Sequence, residues 1–591
     1  MDKKQAKQER AELLFGKTPI KKAIWIVAIP SLMSAMMVGL YTFVDQVFIQ
    51  NFVPRNTFIF DDLILGRHGQ IYDYLSSGIA KLNEQEYKIL FDNYNGLGGQ
   101  QIAYLTPNSV VSSTSVAFQP LIIFSNSVVF LIPVGASVYY TKCVSKNLEK
   151  SGRDLWATMF WCTAIVSLFA TLMSFIFVWS GLIKMFAGHS ILDVKPGFSE
   201  HETLQAYYDA SYKMVINWAS KYVYIYAAGT IMQGISLLLS YFIRAEGYNS
   251  YVMFWGILAN VVNILFDAIF IIPLKLGVLG GVLATLIGWA INLIAYLIYI
   301  IYHERKNKTW LSLSYLFKFK FNKKLLGPTI LLGFSGFIRT FGVAVTFAIM
   351  NILLSKTAFA SPLHYLFYWS KSMPILALFL TSIFGINDGA RSLMSYNYTR
   401  RQFDRCKQVY LWTMLVAICY SLLTYTFILL TSSNLLVTVL NVTSDMKSET
   451  AKFMKIITLR LVAISLSISC LLAFQGTNDV EKSIVSSMME SFFCFSIIIP
   501  IGYGVAAAIF KSTGSVDIAN TIIIWFFVIN SLIASVILMG YSYWYIIKKL
   551  PKIDSLKLSW SRKIEHKFFE RAEKAEIEYK KEIEQKNQIY N

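Results

Sequence analysis

Residues 251–273 read YVMFWGILANVVNILFDAIFIIP. A run of this length and apolarity can cross a hydrocarbon core of about 30 Å as one helix. It nevertheless carries Asn260, Asn263 and, between an Ile-Leu-Phe and an Ala-Ile-Phe-Ile segment, the carboxylate of Asp267. Similar runs recur near 23–50, 112–140, 155–187, 217–243, 278–302, 326–355, 363–387, 408–431, 452–474, 483–510 and 517–547, making twelve with the first. Of 591 residues, 55% are hydrophobic and only 15% charged, too few polar side chains to cover a soluble chain of that size. The composition predicts an all-α polytopic membrane protein of twelve transmembrane helices, and not an enzyme.

Charge placement sets the expected topology. Lys3, Lys4, Lys7, Arg10, Lys17, Lys21 and Lys22 precede the first run with no short apolar core and small-residue cleavage site, so the first span is expected to act as its own insertion signal. The loops Lys142–Arg153, His303–Lys324 and Arg391–Lys407, and the tail after Lys548, are also basic, whereas segment 51–110 carries Asp61, Asp62, Asp73, Glu84, Glu86 and Asp92. The positive-inside rule then places both termini on the cytoplasmic side of the cell membrane. The formal charge of +19 lies in these juxtamembrane loops, which argues against nucleic acid as a partner. Six cysteines without CxxC spacing indicate neither disulfides nor a metal cluster. The absence of a phosphate-cradling glycine loop argues against ATP as the energy source.

The chain repeats itself. GASVYYTKCVSKN (135–147) resembles GARSLMSYNYTRR (389–401), pairing Gly135 with Gly389 at an offset of 254, and IRAEGYN (243–249) resembles AFQGTN (473–478), pairing Gly247 with Gly476 at 229. A third pairing sets Pro30 on Ser335, at 305. Repeats of this kind organise many transporters, and here they predict two pseudo-symmetric six-helix lobes, 23–303 and 326–548. A cytoplasmic segment 1–22 precedes them, and a linker 304–325 joins them. The falling offset places two external insertions in the first lobe, near 51–108 and 188–215. The tail 549–591, with EHKFFERAEKAEIEYKKEIEQK, reads as a solvated helix laced by opposite charges at i,i+4.

A carboxylate inside a span costs about 2.5–3.5 kcal/mol on insertion scales, so a retained one normally faces a cavity or a partner. In the first lobe these acids are Asp45, in LYTFVDQVFI, and Asp267. Tyr41 lies one helical turn before Asp45, Asn263 one turn before Asp267, and Thr285 in the sixth run offers a hydroxyl. Carboxylate, amide and hydroxyl oxygens suit a hard cation such as Na⁺, while two close acids in low dielectric also suit a proton carrier. The residues leave Na⁺ and H⁺ both open as coupling ion, with no other cofactor expected. At the repeat offsets Asp45 falls on Met350 and Asp267 on Ser496, so the acids belong to the first lobe alone. Pro30 would permit a kink in the first span. In the second lobe Arg339, Lys371, Arg460 and Glu490 are candidates for a substrate cavity, with Asp388 and Arg391 nearer the cytoplasmic end.

The stretches GKTPIKKAIWIVAIPSLMSAMM, LYTFVDQVFI, FIRAEGYN and NILFDAIFIIPLKLGVLGGVLAT, with GFSGFIRTF, GINDGARSLMSYNYTRRQFDRCK and LLAFQGTND in the second half, resemble the multidrug and toxin extrusion (MATE) family of secondary transporters. The resemblance implies two six-helix lobes around a central cavity and export of amphiphilic, cationic drugs or toxins by alternating access against Na⁺ or H⁺. It implies a first-lobe cation site on Asp45, Asn263, Asp267 and Thr285, with Tyr41 beside it and Pro30 as the kink proline. Small amphiphiles and the bilayer are the expected partners, and the expected state is a monomer. Ser335 and Ser392 stand where the family often has proline. A flippase for a lipid or lipid-linked precursor is the alternative, which the second-lobe cations would suit.

Overall fold

The computed structural model describes residues 11–53, 107–187, 201–317, 326–356, 362–440, 442, 447–555 and 560–589. Residues 54–106 of the insertion expected near 51–108, and 188–200 of that near 188–215, lie outside them. Among the described residues twelve helices are long and apolar enough to cross a membrane. In chain order they are α1 (Ile20–Phe52), α2 (in two pieces, Pro107–Val129 and Pro133–Lys146), α3 (Glu149–Trp179), α4 (His201–Ala245), α5 (Asn249–Ile271) and α6 (Val278–Arg305) in the first lobe. The second lobe holds α7 (Leu326–Lys356), α8 (Pro362–Thr399), α9 (Phe403–Thr431), α10 (Lys447–Thr458 and Arg460–Gly476), α11 (Val480–Thr513, with a π-turn at Met489–Cys494) and α12 (Val516–Trp544). The tail forms α13 (Trp560–Ile589).

The outward faces carry the side chains that a bilayer takes up, among them Ile165, Leu168, Leu172, Leu265, Leu423, Leu430 and Ile497, all exposed. Small and hydroxylic residues face inward instead. Helices associating in lipid have no hydrophobic drive between them, so close backbone approach and interhelical hydrogen bonds hold them together. The lobes meet in this way along two seams, α1 on α8 and α2 on α7. A Cβ on Gly389 would stand 2.5 Å from the Val27 carbonyl oxygen of α1, and one on Gly135 would stand 2.0 Å from the Thr329 carbonyl oxygen of α7. The two glycines paired by the sequence repeat thus make equivalent cross-lobe contacts.

The other repeated turn shows how each lobe ties its ends. Glu246, in the α4–α5 turn, accepts hydrogen bonds from the hydroxyls of Tyr140 (2.7 Å), Tyr299 (2.9 Å) and Thr309 (2.6 Å), and from the Trp310 backbone N–H (3.2 Å). Burial pushes this carboxyl above its usual range, and the donors from Thr309, Tyr140, Tyr299 and Trp310 pull it back. The chain leaving α6 is thereby clamped to its own lobe.

At the matching place in the second lobe, α13 clamps the α10–α11 turn. The Ser561 hydroxyl donates to the Asn478 carbonyl (3.3 Å), and Arg562 pairs with Asp479 (3.3 Å). The tail therefore does not stand as a solvated helix. Phe569, Ala572 and Glu576 are buried, and Glu565 and Glu573 pair with Lys142 and Lys146 of α2, while Glu570 keeps an i,i+4 contact with His566. All six cysteines are free.

Candidate functional site

α1, α5 and α6 assemble the first-lobe acids. α5 has one polar stripe, Asn249, Gly256, Asn260, Asn263 and Asp267, and this is the face it buries. The spacing of three, four and seven residues puts them on one side of the helix, and that side packs on α1 and α6. Asp45 (4% exposed), Asn263 (2%), Asp267 (0%) and Thr285 (5%) are brought together out of water. The Asn263 amide donates to the Thr285 hydroxyl at 3.4 Å, and that hydroxyl donates to the Gly281 carbonyl at 3.0 Å. Asp267 lies in the field of Asp45, and Tyr41, half-buried on α1, lies in the field of both.

The oxygens of this cluster lack donors. Asp45 Oδ1, both carboxylate oxygens of Asp267 and Asn263 Oδ1 are buried without a hydrogen-bond partner. Leaving a buried acceptor unsatisfied costs about 1–3 kcal/mol, and more for a charged group. Several convergent orphan acceptors with negative charge among them are what a bare cation or a proton would satisfy. The residues fit a hard, oxygen-preferring ion such as Na⁺. Among the described residues no three of His, Cys, Asp and Glu converge as a cluster for a metal ion would require.

Gly281 belongs to this cluster and was not among the residues expected from the sequence. A Cβ there would lie 2.1 Å from Asp45 Oδ1, so only glycine lets the carboxylate rest against the α6 backbone. The Gly280–Gly281 pair was its signal. An aromatic wall also went unread: Trp289 packs edge-on to Tyr226 (5.0 Å), and Tyr222 stacks on Phe118 (3.9 Å). The Tyr226 hydroxyl donates to the Asn126 side-chain oxygen at 2.7 Å. Pro30 is buried inside α1, where its ring removes the backbone bond to the Ile26 carbonyl.

The second-lobe candidates engage separate partners. Arg460 pairs with Glu490 (2.6 Å) and donates to the Ser531 hydroxyl (2.7 Å), closing a contact among α10, α11 and α12. Lys371 donates to the Gln50 side-chain oxygen of α1 at 2.9 Å, across the lobe boundary. Arg339 of α7 lies over the Phe384 ring of α8, 4.4 Å from its centroid. Near it, Asp388 pairs with Arg391 and accepts from the Tyr241 hydroxyl of α4 at 2.9 Å.

Comparison with known proteins agrees with this architecture. Residues 340–503 match the MatE family profile. An outward-facing multidrug-resistance MATE family transporter of the MOP superfamily superposes with a TM-score of 0.66 at 16% identity, covering 92% of this chain and 99% of that one. A second solved structure, a MOP superfamily transporter from Pyrococcus furiosus described by the reversed polarity of its binding pocket, gives 0.64 at 17% identity over 91% of this chain and 98% of that one. Among curated sequences, an uncharacterized protein of Mycoplasmoides gallisepticum is 26% identical over 482 residues, 79% of this chain and 81% of its own length. The multidrug export protein MepA of Staphylococcus haemolyticus is 30% identical over 188 residues, 31% of this chain and 38% of its own.

Proposed function

We propose that the chain is a membrane transporter of the MATE family, whose profile residues 340–503 match, and that it works as a secondary antiporter, driven by an inward Na⁺ or H⁺ gradient and exporting amphiphilic compounds by alternating access. The observation that carries this reading is the set of buried acceptor oxygens on Asp45, Asn263 and Asp267 that have no donor.

In this reading the cation, or a proton shared by the two acids, occupies the space among α1, α5 and α6. Its presence lowers the cost of holding Asp45 against Gly281 and so stabilises one packing of the first lobe over the other. Coupling needs only that the ion bind the two conformations with different affinity. The basic loops and the α13 tail are assigned to the cytoplasmic side, and the working unit is the monomer.

Full-length protein in proteoliposomes, under an imposed Na⁺ gradient or an imposed pH gradient, separates the ions by which gradient drives accumulation of a fluorescent amphiphile. Asp267→Asn and Asp45→Asn should each abolish gradient-driven movement while leaving the thermal midpoint in detergent near that of the parent. Full activity in both variants would refute the assignment.

A second reading, movement of a lipid or lipid-linked precursor, is favoured by one observation. The lobe boundary carries more guanidinium than carboxylate around Asp388.

A further inference from the structure

The charge around Asp388 does not balance. Arg391 pairs with this carboxylate, Arg391 and Arg244 lie 5.3 and 5.8 Å over the ring of Tyr241, whose hydroxyl donates to it, and Arg339 lies within its field. Asp388 is already engaged by Arg391 and the Tyr241 hydroxyl, and Arg391 spends its Nε on the Gln475 side-chain oxygen at 3.1 Å. Arg339 is 8% exposed, and its Nε and Nη1 have no hydrogen-bond partner; the Arg244 Nε has none either. The Phe384 ring lies beneath the Arg339 guanidinium, 4.4 Å from its central carbon, and supplies no acceptor to these donors.

A buried, unpaired guanidinium costs several kcal/mol, and a planar fork is the geometry that receives a phosphate or carboxylate with two parallel bonds. The three arginines come from both lobes, Arg244 from α4 and the others from α7 and α8. A group held among them would therefore feel any change in lobe packing.

We propose that the arginine cluster where α4, α7 and α8 carry Arg244, Arg339 and Arg391 binds a phosphate group carried by the transported amphiphile, with Arg339 as its principal ligand and Arg244 and Arg391 as flanking charge. This rests on the transporter reading and specifies the substrate as anionic at its head, contrary to the cationic substrate that the family resemblance implies.

The test is binding to the purified full-length protein of dodecyl phosphate, inorganic phosphate and dodecyltrimethylammonium. Dodecyl phosphate should bind, and Arg339→Gln should weaken it at least tenfold, with Arg339→Lys intermediate because the charge stays and the fork is lost. Asp267→Asn should still bind dodecyl phosphate while losing gradient-driven transport, which separates the site from the coupling site. Binding of inorganic phosphate with equal strength would assign the pocket to a free anion and overturn the amphiphile. Preference for dodecyltrimethylammonium, or unchanged dodecyl phosphate affinity in both arginine variants, would overturn the site. Loss of gradient-driven transport in Asp267→Asn without phosphate binding would sink this inference and leave the antiporter standing.

An independent set of contacts concerns α13. On the first lobe, Glu565 pairs with Lys142, Glu573 pairs with Lys146 (2.8 Å), the Lys150 backbone N–H donates to Glu576 (2.8 Å), and Phe568 packs edge-on to Tyr139 at 5.7 Å. On the second lobe, Asn478 donates to Glu565 (2.8 Å), and Arg562 bonds to Asp479 and to the Tyr545 hydroxyl. Glu565 thus joins both lobes through one carboxylate. The chain after α6 stays on its own lobe, whereas the tail in the equivalent place crosses to the other.

We infer that docked α13 is a latch holding the lobes together on its face, so that opening there requires its release. Phe569→Asp combined with Glu565→Ala should abolish hydrogen-exchange protection of 560–580. Spin labels at Asn147 and Lys407, in a Cys419→Ser background, should then show a second, longer interlobe distance absent from the parent. A single short distance with the tail released would overturn the latch, as would a tail that stays protected in the double variant.

Discussion

Gly281 is where the first-lobe cluster has least tolerance, because the Asp45 carboxylate fills the space a side chain would take. Gly281→Ala should push that carboxylate off the α6 backbone and weaken cation affinity about tenfold, a change of roughly 1.4 kcal/mol, with the helices intact. Ion-dependent shifts of the thermal midpoint would measure it, and an unshifted ion dependence would show that Asp45 does not act from this position. Asp45 and Asp267 were legible in the sequence because a carboxylate in an apolar run has few explanations. Asn263 and Thr285 followed from helical spacing and chemistry. Gly281 did not follow, since a glycine's role lies in what approaches it.

At the scale of the elements, α1 carries both the acid and the proline, and Asp45 lies fifteen positions after Pro30. Pro30→Ala restores a backbone bond and stiffens the helix at a point it can now bend. Transport should fall several-fold with folding preserved, and undiminished transport would remove the hinge from the mechanism. The turns give a contrasting case. Glu246 faces only donors, so a carboxamide in its place turns an N–H₂ toward them. Glu246→Gln should cost roughly 2–4 kcal/mol, read as a lowered midpoint, and should leave the ion dependence of what remains unchanged. The repeat in the sequence located this turn and its partner at Gly476. It could not say that one is clamped by a linker and the other by a tail.

In the proposed mechanism the two lobes move past each other, and the seams at Gly135 and Gly389 set how closely they approach. Gly389→Leu should wedge α8 from α1, since even a Cβ stands 2.5 Å from the Val27 carbonyl. Transport should drop at least tenfold while the acids still bind their cation, a split that equilibrium ion binding and proteoliposome flux together would resolve. Equal losses in both would place the seam in folding rather than in motion.

The sequence by itself determined the twelve spans, the two lobes and the acids of the first lobe. The spans and the acids follow from transfer of apolar or charged groups out of water, which depends on composition and periodicity along one helix, and the lobes follow from the repeat that pairs Gly135 with Gly389. Only the tertiary structure decided that Arg460 is matched by Glu490 while Arg339 lies over the Phe384 ring, and that the tail lies across both lobes. Whether a charge is paired depends on side chains brought from distant helices, and no local pattern records that.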